Sequence, residues 1–334
     1  MKTQVAVLAG GDSGEYEVSL KSAYMVMRTL DPQLFQPWLV HVKDGKMEVH
    51  TSDGPLPLSP KGFGFESKEG YVSFDVAYNI VHGTPGEDGK LQGWLELNKV
   101  PYTSPGVLAS ALTMDKFLTK LLVKSLRIPV AKGMLVRASD EIIEVDDIVD
   151  QLGLPCFVKP NHGGSSVATF KIKAKKDLPD AIEAGFKVDD QVIIESFLPG
   201  TELSIGVLEV MGDMVVLPPT EIVPHTEFFD YAAKYEGASD EITPARIPSA
   251  TRKKLERHAV AIYRLLNLRG MVRIDFMWTG KTLYFMEVNT IPGFSPASLV
   301  PQQIRAAGMK EQEVLTAVIY EALRSAQGFG EAEG

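Results

Sequence analysis

Apolar residues run unbroken through Val5-Ala6-Val7-Leu8-Ala9, stop at Gly10-Gly11, and give way to a spaced apolar pattern from about Val18 to Leu30. A short unbroken run reads as a buried strand, and apolar positions three or four apart as a one-faced helix. The chain therefore opens as strand, glycine turn and helix, closed by Asp31-Pro32. Strands are predicted over Pro37 to Val42 and Phe74 to Ile80, with the Gly/Pro-rich stretch Asp53 to Gly70 between them read as a surface excursion. A helix over Leu91 to Leu97 precedes a longer helical pattern, Val107 to Leu126. Then come β segments at Met134 to Val136 and Cys156 to Lys159, a helix over Leu178 to Phe186, and a strand over Val192 to Glu195. The rest reads as alternating strands, an irregular segment from Pro218 to Arg246, a helix from Ser249 to Leu266, a hairpin, a last helix from Lys310 to Ser325 and a frayed tail. Changes of character divide the chain into an N-terminal α/β domain (1–104), a central domain (105–194) and a C-terminal domain (195–334).

Within the predicted hairpin, Met271-Val272-Arg273-Ile274-Asp275-Phe276 and Tyr284-Phe285-Met286-Glu287-Val288-Asn289 carry ionic and amide side chains inside apolar runs. Alternation puts Arg273 with Asp275 on one side, and Glu287 with Asn289. If the turn is Thr279-Gly280-Lys281, all four share a face, with Arg273 opposite Glu287 and Asp275 a diagonal step away. Two carboxylates and an amide oxygen suit Mg²⁺, and Arg273 offers a fixed fork for an oxyanion. An ordinary amphipathic hairpin with an Arg–Glu cross-strand pair fits this fragment equally well.

Composition narrows the class. A chain of 334 residues, 45% hydrophobic and 23% charged, is globular and exceeds one ordinary core. The net charge of -9 argues against nucleic-acid binding. The one cysteine, Cys156, rules out an intrachain disulfide framework or a cysteine-rich zinc site. No apolar run is long enough to span a membrane and no signal-peptide pattern opens the chain, so a soluble cytoplasmic protein is expected.

Phe157-Val158-Lys159-Pro160-Asn161-His162-Gly163-Gly164-Ser165-Ser166 sets a lysine at a strand end before a loop of glycines and hydroxyls. Backbone N–H groups in such a turn form an anion nest, so a polyphosphate fits it. A hairpin turn with a snorkelling lysine fits too. Lys116 follows Met114-Asp115 on a predicted helix, and Glu195 and Glu202 flank a backbone bend, where acceptors could meet adenine and ribose or simply face solvent.

Taken in order, these pieces resemble the D-alanine:D-alanine ligase family of the ATP-grasp superfamily, from residue 4 to about 325. The resemblance rests on Gly10-Gly11 with Glu17-Val18-Ser19, on His82-Gly83-x-x-Gly86-Glu87-Asp88-Gly89, on Met114-Asp115-Lys116, on the loop from Lys159 to Val167, on Lys234-Tyr235, and on Glu287-Val288-Asn289-Thr290-x-Pro292-Gly293. It implies an α/β (α+β) ATP-grasp fold of three domains, the first Rossmann-like. It also implies that Lys116 and Lys159 hold the ATP α- and β-phosphates beneath a loop bearing Ser165 and Ser166. Glu195 and the Leu198 backbone would meet adenine, Glu202 the ribose and Lys234 the γ-phosphate. Asp275, Glu287 and Asn289 would ligate two Mg²⁺ ions, for which Mn²⁺ could substitute. Arg273 and the Gly293 N–H would bind an oxyanion, Ser298 and Leu299 the second substrate's carboxylate, and Glu17 the first substrate's ammonium, with His82 nearby. Glu17, Ser165 and Tyr235 would latch a lid, residues 218–246, that is mobile before substrates bind. ATP and D-alanine are the implied substrates, for peptidoglycan synthesis, and a homodimer the implied assembly.

Relatives usually place glycine after Gly-Ser-Ser-Val, where this chain has Ala168, expected to stiffen the loop slightly. The variable stretch Ser295-Pro296-Ala297 leaves D-serine or D-lactate as alternative acceptors, although Lys234-Tyr235 favours D-alanine over D-lactate. A dinucleotide oxidoreductase is disfavoured because Gly10-Gly11-Asp12-Ser13-Gly14 lacks the G-x-G-x-x-G spacing. A non-catalytic nucleotide binder would have little use for the retained metal ligands, Arg273 and both lysines.

Overall fold

The opening apolar run becomes β1 (Thr3–Gly10), buried from Val5 onward because β2 (Phe35–Lys43) and β7 (Val76–Asn79) flank it in parallel. A parallel strand covered on both faces has no solvated side to alternate toward, hence the continuous run. Antiparallel β3 (Lys46–Thr51) and β4 (Gly54–Pro57) extend the sheet to the order β4-β3-β2-β1-β7, and α1 (Tyr16–Thr29) packs on it. The computed structural model describes residues 1–140, 144–164, 167–225 and 239–328.

The stretch from Asp53 to Gly70 is more than a surface excursion. It contributes β4 and pairs β5 (Gly64–Ser67) with β6 (Gly70–Ser73), burying Phe65 against Trp38 and Phe74. After α2 (Lys90–Leu97), the predicted long helix divides into α3 (Val107–Met114) and α4 (Lys116–Lys124). Asp115 causes the break: its backbone is extended and its carboxylate accepts from the Leu118 N–H at 2.8 Å, capping α4.

The middle of the chain forms an antiparallel sheet in the order β10-β9-β11-β8, from β8 (Gly133–Arg137), β9 (Cys156–Pro160), β10 (Phe170–Ile172) and β11 (Gln191–Ser196). Its helices are α5 (Val145–Leu152) and α6 (Leu178–Phe186). The last sheet runs in the order β15 (Ser239–Ile242), β14 (Thr220–Pro224), β12 (Thr201–Val210), β16 (Val272–Trp278) and β17 (Leu283–Asn289), with β13 (Asp213–Val216) on β12. The segment expected to be irregular after Pro218 instead begins with β14 (Thr220–Pro224) and returns as β15 (Ser239–Ile242), an antiparallel pair. The sheet continues through β16 (Val272–Trp278) and β17 (Leu283–Asn289), with α7 (Ser249–Leu265), α8 (Leu299–Ala306) and α9 (Glu311–Gly328) completing the chain.

One core joins the two ends of the chain. Val5, Val7 and Phe35 of the first sheet share it with Leu208, Phe294, Ile304, Leu315 and Ile319. The Phe35 ring lies 5.9 Å from that of Tyr320 on α9. Phe35→Ala should therefore lower unfolding free energy by about 3–5 kcal/mol, the usual cost of emptying an aromatic core site. A chemical denaturation midpoint close to that of the wild type would contradict this coupling.

Candidate active site

Trp278 pairs with Leu283, so the β16–β17 turn contains Thr282 as well as Thr279, Gly280 and Lys281. Continued unchanged past Phe276↔Phe285, that register would set Glu287 opposite Ile274 and send the two polar rows to opposite faces. A β-bulge at Met286 restores the parity, pairing Asp275 with Glu287 and Arg273 with Asn289. All four polar groups thus share a face, although the partners differ from the expected Arg273–Glu287 pairing. Met286, the extra residue, borders the main cavity.

Asp275 is almost fully buried and accepts from three side chains. Arg273 Nη2 donates to Oδ2 at 2.8 Å and Nε to Oδ1 at 3.0 Å. Ser204 Oγ, on β12, donates to Oδ1 at 2.7 Å, and Asn289 Nδ2 to Oδ2 at 2.9 Å. Because the Asn289 NH₂ is spent on Asp275, its Oδ1 is the end of the amide left to act as a ligand. With the Glu287 carboxylate at the cavity wall, the donor set is hard oxygen throughout and fits Mg²⁺.

That cavity has a volume of about 710 Å³ and lies between the central and last sheets. Ala131, Phe157, Phe197, Leu198, Met277 and Met286 give it an apolar end suited to a flat base, while Lys116, Lys159, Glu202 and Glu287 make the remainder ionic. The Glu195 carboxylate sits between two ammonium groups, Lys159 at 2.8 Å and Lys120 in closer contact. Burial would raise the Glu195 carboxyl, but the two lysines hold it down at about 2. Burial brings Lys120 down to about 8 despite the pull of Glu195, and Lys159 adds to the fall. Lys116 Nζ donates to the Gly163 carbonyl at the root of the glycine-rich loop.

On the opposite wall the loop after β7 is tied to the loop after β17. Glu87 accepts from the Gly83 N–H at 2.8 Å and the Ile291 N–H at 3.1 Å. Burial, with Glu15 nearby, pushes it up to about 7. His82 Nδ1 lies 2.9 Å from the Ile291 carbonyl and its Nε2 3.3 Å from Ser22 Oγ, and burial holds the ring below the ordinary imidazole range. It is therefore a neutral, oriented ring. Gly293 and Ser298 are pressed together, since a Cβ at Gly293 would lie 2.9 Å from Ser298 Oγ. Leu299 starts α8 with Ser298 as its N-cap residue.

The structure gathers Lys116, Lys159, Glu195, Leu198, Glu202 and Glu287 around one cavity and sets Arg273, Asp275 and Asn289 beside Glu287. Glu17 does not join them: it lies on the exposed side of α1, whereas Glu15, two residues earlier, borders the cavity. Ser165, Ser166, Lys234 and Tyr235 lie outside the described residues. Sequence reasoning missed Lys120, although its place four residues after Lys116 puts both on one helix face. Glu87 stood in a quoted motif without a role, and Ser204 left no signal in its apolar strand. Ala168 adopts φ +50°, a left-handed conformation that glycine enters more cheaply, so the loop carries backbone strain there.

Fold and site together are those of an ATP-grasp ligase. The family profile described as D-ala D-ala ligase N-terminus matches residues 4–105, and that described as D-ala D-ala ligase C-terminus matches residues 122–320. The D-alanine–D-alanine ligase of Phocaeicola vulgatus is 42% identical over 96% of this chain and 99% of its own length. That of Bacteroides fragilis is 40% identical with the same coverage. Among solved structures, the VanG D-Ala:D-Ser ligase of Enterococcus faecalis superposes with a TM-score of 0.86 at 32% identity, covering 96% of this chain and 100% of that one. The D-alanine–D-alanine ligase of Coxiella burnetii gives 0.88 at 28% identity, covering 99% of this chain and 97% of that one. The chain belongs to the D-alanine–D-alanine ligase family.

Inserting one alanine after Met286 should shift the parity again, set Glu287 opposite Ile274 on the core side of the hairpin and abolish ligase turnover. Burying an unpaired carboxylate should also cost several kcal/mol, on the order of 3–5. Wild-type activity and melting temperature in the insertion variant would refute the parity argument.

Proposed function

We propose that this ligase joins two molecules of D-alanine into D-alanyl-D-alanine at the expense of ATP, supplying a peptidoglycan precursor. The observation that carries the reading is an oxygen-only donor set, Asp275, Glu287 and Asn289, on one hairpin face whose Glu287 borders the cavity that Lys116 and Lys159 also line. A carboxylate is a poor acyl donor. Its oxygen therefore attacks the ATP γ-phosphorus, ADP departs, and the resulting acyl phosphate is open to an amine. The second D-alanine's amine then attacks the acyl carbon, inorganic phosphate leaves, and the amine gives up a proton.

Each part has a place in that sequence. Lys116 and Lys159 hold the α- and β-phosphates, Ser165 and Ser166 cover them, and Lys234 reaches the γ-phosphate. Glu195 and the Leu198 backbone meet adenine, and Glu202 meets the ribose. Mg²⁺, held by Asp275, Glu287 and Asn289, would neutralise charge on the transferring phosphoryl group. Arg273 and the Gly293 N–H receive the oxyanion formed on amine attack, and Ser298 and Leu299 the acceptor's carboxylate. The first ammonium, expected at Glu17, is better assigned to Glu15, because Glu15 borders the cavity and Glu17 faces outward. By the same argument Glu15 replaces Glu17 in the latch with Ser165 and Tyr235. Neutral His82 supports that corner.

The reading extends to a first-substrate domain over 1–104, a phosphate-binding domain over 105–194, and a metal and acceptor domain over 195–334 with a lid at 218–246 that closes to exclude water. It extends equally to two Mg²⁺ ions per site, with Mn²⁺ able to substitute, to a homodimer, and to a cytoplasmic setting. Among the described residues no helix is long and apolar enough to cross a membrane. D-serine or D-lactate as acceptor is less favoured, since the sequence relatives above carry the D-alanine–D-alanine name.

Phosphate release should require both Mg²⁺ and D-alanine and should match dipeptide formation mole for mole; release without dipeptide would defeat the proposal. Glu287→Gln should cut turnover by roughly a hundredfold or more without altering the melting curve, as loss of a transition-state charge partner does. Glu15→Gln should raise the KM for D-alanine by about tenfold, the loss of one charge-assisted bond, while Glu17→Gln leaves it unchanged. The reverse pattern would restore Glu17 to the site.

A further inference from the structure

At the root of the glycine-rich loop stands a residue for which the reaction scheme above has no use. The His162 ring lies between two carboxylates: Nδ1 is 3.1 Å from both Asp189 oxygens, and Nε2 is 3.4 Å from Asp115 Oδ2. The His162 backbone N–H also donates to Asp189 Oδ2, at 2.6 Å. Each carboxylate anchors a structural element. Asp115 caps α4, and Asp189 accepts from the Gln191 N–H at 3.1 Å where β11 begins. Asn161 reinforces the junction, accepting from the Lys116 N–H at 3.2 Å and, through its side chain, from the Phe117 N–H at 2.9 Å. Gly163, next along, receives the Lys116 ammonium on its carbonyl.

Carboxylates on both sides require a donor at each ring nitrogen, and only the imidazolium has two. The bond to Asp115, opposed by partial burial and helped by Asp189, pushes His162 up to about 9. Among the described residues the charged groups facing it are Asp115 and, one residue on, Lys116 from α4, with Asp189 and exposed Asp190 from the turn before β11. Acidic groups dominate that set, so the cation is favoured from every side.

We propose that His162 is a positioning residue: it ties the loop root to the N-terminus of α4 and to the turn before β11, and so holds Lys116 where a nucleotide phosphate binds. This rests on the assignment of Lys116 to ATP phosphates made above. Because the folded protein raises the imidazole's affinity for its proton, the tie is complete at neutral pH and is lost as pH rises through about 9.

The test is calorimetric binding of Mg-ADP, without D-alanine, to wild type, H162A, H162R and K116A. Arginine keeps a permanent charge and a fork able to span two carboxylates. H162A should bind about tenfold more weakly at neutral pH, the cost of losing a charged hydrogen-bonded tie. H162R should match wild type there, and by about pH 10 the wild type should bind roughly tenfold more weakly than H162R. Comparison with H162R cancels the titration of Lys120, which both proteins share. A wild-type to H162R ratio that stays constant with pH overturns the proposal, and decides the matter even if H162A fails to fold. If K116A binds Mg-ADP as tightly as wild type, the Lys116 assignment fails and this proposal with it. If K116A is weakened and a folded H162A is not, the proposal alone fails.

Discussion

The site depends on an odd-even constraint in one hairpin. Side chains on a strand alternate faces, so a turn that includes Thr282 would leave Asp275 and Glu287 on opposite faces unless one residue of β17 stood outside the pairing. Met286 is that residue, and its side chain is not wasted, because it borders the apolar end of the cavity. Once the parity is set, Arg273, Ser204 and Asn289 can all donate to Asp275, which makes a buried carboxylate tolerable. The proposed metal donors, the proposed oxyanion fork and part of the cavity's apolar wall thus depend on one bulged position.

Much of the fold was legible in the chain because burial leaves period-dependent marks. The unbroken run at Val5 to Ala9 reads as a doubly covered parallel strand, and the Leu178 to Phe186 helix appears where its spacing puts it. Where side-chain chemistry overrides periodicity, the pattern misleads. Asp115 splits an otherwise continuous helical stretch by capping its second half, and Phe65 draws a Gly/Pro-rich segment into a core that its composition does not announce.

The site was legible in kind more than in detail. Residue types that chemistry demands, such as the lysine before a glycine loop and the carboxylates in a strand, stand out in an apolar setting. Exact partners do not, because they depend on turn length and on approaches between remote segments. Glu15 and Glu17 have nearly the same sequence context, and only the course of the chain into α1 turns one inward and the other out. Glu87 likewise joins positions 83 and 291, a contact with no local signature.

The Lys120–Glu195–Lys159 chain has a consequence for how charge moves when ligands arrive. In the protein alone, these two ammonium groups already share one buried anion, which leaves a single net positive charge. On the proposed assignment an entering polyanion must compete with that anion for Lys159, so docking is in part an exchange of counter-ions and not only the filling of an open positive field. Such an exchange gives up attraction at long range in return for walls that carry less like charge between turnovers.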